Sequence, residues 1–167
     1  MSQITLMIKP SDIIGLTQFN GNIDADSLNP MIFIAQTTHL KAFLGTLLYN
    51  KIYTDFVADS TTGVFIPNNL SGFYLVMYED YIKDILSYVT SSLFVSFGGF
   101  KVSENGLHKI AGENMTSLDD GEINRVSLKY DMLVAGVESN FKEYVYEKDI
   151  LELKEKVINV NTSFPWQ

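Results

Sequence analysis

Apolar residues in this chain recur mostly three and four positions apart, the spacing that lines one face of an α-helix. Leu40, Phe43, Leu44, Leu47, Leu48 and Ile52 keep this spacing within the stretch 22–53. Asn29 followed by Pro30 reads as a helix start, because Asn caps free N–H groups and proline suits the first helical position. Gly45 reads as the end of that helix and Thr46 as the cap of the next, with a continuous helix closely approached at Gly45 as the alternative. A second helix is expected from Asn69 or Ser71 to about Ser96. It carries Ile82, Ile85, Leu86, Val89 and Leu93 on one face and Tyr74, Met77, Tyr81 and Tyr88 on another. A helix apolar on both sides is central in its domain or is sandwiched against a neighbouring subunit. The last helix opens at Asp119, which has capping-box spacing to Glu122, and carries Ile123, Val126, Tyr130, Leu133, Val134, Val137, Phe141, Tyr144 and Val145. It either continues to about Val157 or breaks near 147–149.

Shorter signals fill the remainder. Ile4, Leu6 and Ile8 alternate with Thr5 and Met7, as in a strand or extended arm. Ser11 and Asp12 can cap a short helix through Ile13, Ile14 and Leu16. Residues 59–63 read as a surface loop, and Gly98 with Gly99 as a helix stop. Asn105 and Gly106 lie between two short alternating runs, which predicts a β-hairpin at about 100–110 with these two residues at the centre of the turn. The expected fold is mainly α: one domain over 1–167, a bundle of about four to five helices, the small hairpin and the N-terminal arm or strand. Residues 1–9 and 159–167 are expected to serve in subunit contacts.

Charge and composition narrow the function classes. Twenty acidic against twelve basic residues give a formal charge of -8, a surface that repels a phosphate backbone. General nucleic-acid binding is therefore not expected, although DNA could slide past such a surface without adhering. With no cysteine, thiolate metal sites, disulfides and cysteine nucleophiles are excluded. The N-terminus lacks the pattern of a signal peptide, and no run approaches a membrane span.

The candidates for chemistry each have a plainer role. Asp24 with Asp26, Asp119 with Asp120, and Glu152 with Glu155 are near pairs of carboxylates. Asp119, Asp120 and Glu122 suit a helix N-terminus, where negative charge is favoured, and Glu152 and Glu155 alternate with Lys154 and Lys156 as on a solvated face. His39 and His108 have no partner at metal-ligand spacing, and no nucleophile elbow or phosphate loop is present. No catalytic residue, cofactor or metal is expected. For Tyr74, Tyr81 and Tyr88, core and subunit interface are both open readings. For Phe164, Pro165 and Trp166 the interface is favoured, since a terminal segment is ordered only when something ties it down. Val102, Asn105, Gly106 and Leu107 of the hairpin complete the candidate interface.

Three stretches together carry a family resemblance. The first is Leu28, Asn29, Pro30, Met31 and Ile32 with Ala35, Gln36, Leu40, Leu44, Gly45, Leu48 and Tyr49. The second is Phe100, Lys101, Val102, Ser103, Asn105, Gly106 and Leu107, placed after a long apolar helix. The third is the long final helix with its Phe164, Pro165, Trp166 ending. In this order they resemble the small helical neck proteins, or head–tail connectors, of crAss-like and related tailed phages of Bacteroidetes. The resemblance implies a non-enzymatic virion protein assembled in the cytoplasm of a bacterial host. It implies a ring of copies, commonly dodecameric, between the portal protein and the adjacent neck or tail ring, with DNA only as passing cargo. The alternatives are another tail-completion or stopper ring, a soluble helical module for a small ligand, and, last, a hydrolase built on distant carboxylates.

Overall fold

The computed structural model describes residues 5–17, 23, 25–58, 65–97, 100–103, 106–109 and 119–148. Among them it forms five helices and two antiparallel two-stranded sheets, a mainly α bundle as expected. Helix α1 is Pro10–Leu16. Helix α2 spans 25–44 and includes a π-helical stretch, Ala35–Leu40. Helix α3 is Thr46–Thr54. Strands β1 (Phe56–Ala58) and β2 (Phe65–Pro67) pair in antiparallel register, Val57 opposite Ile66. Helix α4 spans 72–97 with a second π-helical stretch, Tyr78–Ile82. Strands β3 (Phe100–Ser103) and β4 (Gly106–Lys109) form the second hairpin, and α5 is Asp120–Lys148.

Helix α4 is the hub. It packs on α1 and α2 and, most extensively, on α5. Its two apolar faces are thus consumed within one chain: Ile82, Ile85, Leu86 and Met77 are fully buried, and Tyr81 and Tyr88 are partly covered.

The π-helical stretches explain a pattern that the 3.6-residue period does not. Ile32, Gln36, Leu40 and Leu44 are all buried, as are Tyr78, Ile82, Leu86 and Thr90, each set four residues apart. On a straight α-helix such a repeat drifts by about 40° per step. An i→i+5 turn holds an extra residue and realigns the row toward the core. Each π stretch also supplies the side chain that receives the N-terminal segment. The Gln36 side chain accepts from Met7 N–H (3.1 Å) and donates to the Thr5 carbonyl, and the Tyr78 hydroxyl donates to the Met7 carbonyl (2.7 Å). These bonds replace the strand neighbour that residues 5–9 lack. Leu6, Met7 and Ile8 are all buried. The in–out alternation expected there is therefore absent, and this part of the N-terminal arm belongs to the chain's own core instead of a subunit contact.

Several local expectations are corrected. Helix α2 begins at Ala25, so Asn29 and Pro30 lie inside it. Early acidic Asp26 supports that start, and Pro30 forgoes only one intrahelical bond there. In α1 the first position is Pro10, and Asp12 closes the turn backwards by accepting from Lys9 N–H (2.8 Å). Gly45 does end a helix, at φ 78 and ψ 161, but Thr46 is the first residue of α3 and Gly45 itself is the N-cap. The change of direction rotates the next face: Leu48, Tyr49 and Ile52 are buried while Leu47, expected on the buried stripe, is 54% exposed. The hairpin at 100–109 is present, but Ser103 pairs with Gly106, so its two connecting residues are 104 and 105. Gly106 thus belongs to the strand. That register sets Val102 opposite Leu107, where the expected turn would have set Val102 opposite Lys109. The β1–β2 hairpin had no counterpart in the sequence reading, and the 59–63 loop lies outside the described residues. The capping box at α5 is as expected: Asp119 Oδ1 accepts from Glu122 N–H (2.7 Å) and Glu122 Oε2 from Asp119 N–H (3.0 Å).

The Gly45 geometry lies in a region that only glycine occupies without strain. Gly45→Ala should lower stability by about 1–3 kcal/mol, read by urea denaturation, with the fold retained. An unchanged midpoint would contradict the kinked connection between α2 and α3.

Candidate interaction surface

Three helices meet around a cleft of about 370 Å³ lined by residues of α2, α4 and α5, including Thr38, His39, Ser92, Asp131 and Glu138. Its histidine, serine and carboxylates are engaged with partners inside the chain, and Thr38 donates to the Ile34 carbonyl. His39 Nε2 lies 2.8 Å from Glu138 Oε1. Ser92 Oγ donates to Asp131 Oδ1 (2.8 Å) and lies 2.8 Å from Ser127 Oγ, which in turn is 3.1 Å from Ser96 Oγ. A serine nucleophile needs an adjoining base, most often a histidine, to take its proton. Here the histidine is bound to one carboxylate and the serine to another, and no hydrogen bond joins His39 to Ser92. The arrangement ties α4 and α2 to α5.

A second cleft, beside α1, gathers Asp12, Glu79, Lys83 and Asp84. Asp12 is committed to the Lys9 N–H, and Glu79 accepts from Lys83 (3.1 Å). Burial raises the Asp84 carboxyl above its ordinary range against the opposing pull of Lys83. Among the described residues no three ligating side chains come together as a metal site. Asp26, Asp119 and Asp120 sit at the first turns of α2 and α5, while Asp24, Glu152 and Glu155 lie outside the described residues. The buried phenols offer no base either. Burial, with Tyr53 adjoining, pushes Tyr49 up to about 12, and burial raises Tyr78 and Tyr88 as well.

Tyr81 and Tyr88 belong to the α4–α5 seam, and Tyr74 meets α3. Tyr81 meets Phe141 edge-on at 5.7 Å between centroids and lies 5.4 Å from Tyr144. Tyr88 stacks on Tyr130 at 6.4 Å, and the Lys51 ammonium lies over the Tyr74 ring at 5.5 Å. All three candidate tyrosines thus have partners in their own chain. Val102, Gly106 and Leu107 are placed in the β3–β4 hairpin. Asn105, Phe164, Pro165 and Trp166 lie outside the described residues.

What the sequence reading missed is the apolar surface left over. Phe33 and Ile34 on α2, Leu47 on α3, Phe73 and Phe97 on α4, and Leu128, Met132 and Tyr146 on α5 are all exposed, Met132 by 75% and Tyr146 by 87%. Leu128 and Met132 form an i,i+4 pair off the apolar stripe that runs through Tyr130, Val134 and Phe141. That second pair was the available signal.

Residues 40–154, from the end of the first π-helical stretch through the whole of α5, match a family described as a family of unknown function, DUF6712. The chain belongs to this family. The match takes in the α2–α3 kink, both hairpins and the α4–α5 seam, so these features lie within the family's matched region. No curated protein and no solved structure matches the chain. No helix among the described residues is long and apolar enough to cross a membrane.

Proposed function

We propose that this DUF6712 member is a structural virion protein: a head–tail connector subunit that forms a ring with copies of itself between the portal protein and the next neck or tail ring. The observation that carries the reading is the distribution of exposed apolar side chains. They lie on four different helices, α2 to α5, instead of converging on one pocket. A small-molecule site gathers its apolar lining into a concavity. A closed ring instead demands two different complementary patches on every subunit, because each contact is head-to-tail. The resemblance of the sequence motifs to those of phage neck proteins supports the same reading, as does the mainly α fold with a small hairpin.

The reading assigns no reaction to the chain, and DNA passes the ring without being bound. The formal charge of -8 supports that passage if the acidic residues face the lumen. The deciding experiment is electron microscopy of particles assembled in cells that express a tagged copy of this chain. Annular density below the portal, labelled by the tag, is the expected result. A tag found only on free protein, with unlabelled necks of normal appearance, would overturn it.

A further inference from the structure

The outer face of α5 carries a row of seven exposed residues: Arg125, Lys129, Met132, Gly136, Asn140, Glu143 and Glu147. Their spacing alternates four, three and four in both directions from Gly136. Arg125 and Glu147 are equally far from that glycine, as are Lys129 and Glu143, and as are Met132 and Asn140. The row is therefore symmetric in position and opposite in charge about its midpoint.

We propose that this face docks on the same face of a second copy of the chain, the two α5 helices running antiparallel across a two-fold axis at Gly136. Such an axis brings each Arg125 to the partner subunit's Glu147 and each Lys129 to the partner subunit's Glu143. Three features of the single chain support this occupant. Arg125 with Lys129, and Glu143 with Glu147, are like-charge pairs at i,i+4, which oppose helix formation in a lone helix and are relieved by an opposite copy. Glycine is a poor residue for the middle of a 29-residue helix, and a Cβ at Gly136 would meet nothing within 4 Å. Nothing among the described residues demands it, whereas two backbones crossing closely would. Finally, Met132 within the row is 75% exposed, and Leu128 and Leu133 beside it are exposed by 60% and 47%, an apolar surface that a facing helix would cover. An isologous contact of this kind pairs subunits and closes no ring, so it is separate from the head-to-tail contacts of the proposed connector.

The test uses the full chain and two charge variants in sedimentation velocity. One variant, Arg125→Glu with Lys129→Glu, makes the row wholly acidic; the other, Glu143→Lys with Glu147→Lys, makes it wholly basic. All four residues are exposed, so the fold should persist, checked by circular dichroism. The unaltered chain should form a concentration-dependent dimer that weakens with salt. Each variant alone should dimerise at least 10-fold more weakly, and an equimolar mixture should recover a heterodimer, because all four cross-pairs are then complementary. Gly136→Leu should block pairing by holding the backbones apart. A monomer throughout the concentration series, a dimer indifferent to both charge variants, or a mixture that stays unpaired would each overturn the proposal. A larger ring that forms equally well with both variants would overturn it too, while leaving the connector reading standing. A charge-sensitive dimer absent from every virion would do the reverse.

Discussion

Replacing Gln36 with leucine should destabilise the isolated chain by about 3 kcal/mol, a fall of roughly 10 °C in Tm for a domain of this size. The side chain is completely buried and serves both a backbone donor, at Met7, and a backbone acceptor, at Thr5. Leucine fills similar space but leaves both groups without a partner, and each unsatisfied buried group costs roughly 1–3 kcal/mol. Tyr78→Phe removes the single bond to the Met7 carbonyl and should cost less, about 1 kcal/mol. Because both substitutions release the same segment, their combined effect should fall short of the sum. Urea denaturation of the two single variants and the double variant checks this. Native-state hydrogen exchange at the Met7 amide supplies an independent readout, expected to speed up in Gln36→Leu before the rest of the core. A change within 0.5 kcal/mol of zero would mean that the N-terminal segment is not held in this way.

Phe141→Ala should be the most damaging single truncation, at roughly 3–5 kcal/mol. The ring is 2% exposed and lies at the centre of an aromatic group, 5.3 Å from Phe43 of α2 and 5.7 Å from Tyr81 of α4. Its loss opens a cavity where three helices converge and loosens the hold of α5 on the bundle. The informative comparison is Met132→Ala on the opposite side of the same helix. That residue is 75% exposed, so its truncation should change the stability of the free chain by no more than about 0.5 kcal/mol. Thermal melts by circular dichroism distinguish the two. Equal losses would show that the exposed face of α5 is packed within the chain, and would remove a main support for reading it as a contact surface.

The two apolar faces of α4 were legible from their spacing, but spacing left open whether the second face meets its own chain or a neighbouring subunit. The capping box at Asp119 and Glu122 was legible because both bonds are local, three residues apart. The helix end at Gly45 was legible from the glycine that interrupts the apolar run. Less visible were Gln36 and Tyr78 as the groups that seat the N-terminal segment. Their partners lie 29 to 71 residues away in the chain, and neither periodicity nor propensity carries such pairing. The candidate surface was readable only in part. The tyrosines of α4 could have faced another subunit or their own, and α5 takes much of that face.

Local patterning alone determined that this chain is a mainly α bundle with a hairpin near residue 100, since helix periodicity, caps and a turn signal act over a few residues. Tertiary structure decided which apolar residues remain outside. It did so through the kink at Gly45, which turned Leu47 to the surface, and through the π-helical stretches, which aligned Gln36 and Tyr78 with the core. Burial is a property of which elements share a space, and an apolar side chain carries no mark in sequence that separates a place in the core from a place awaiting a partner.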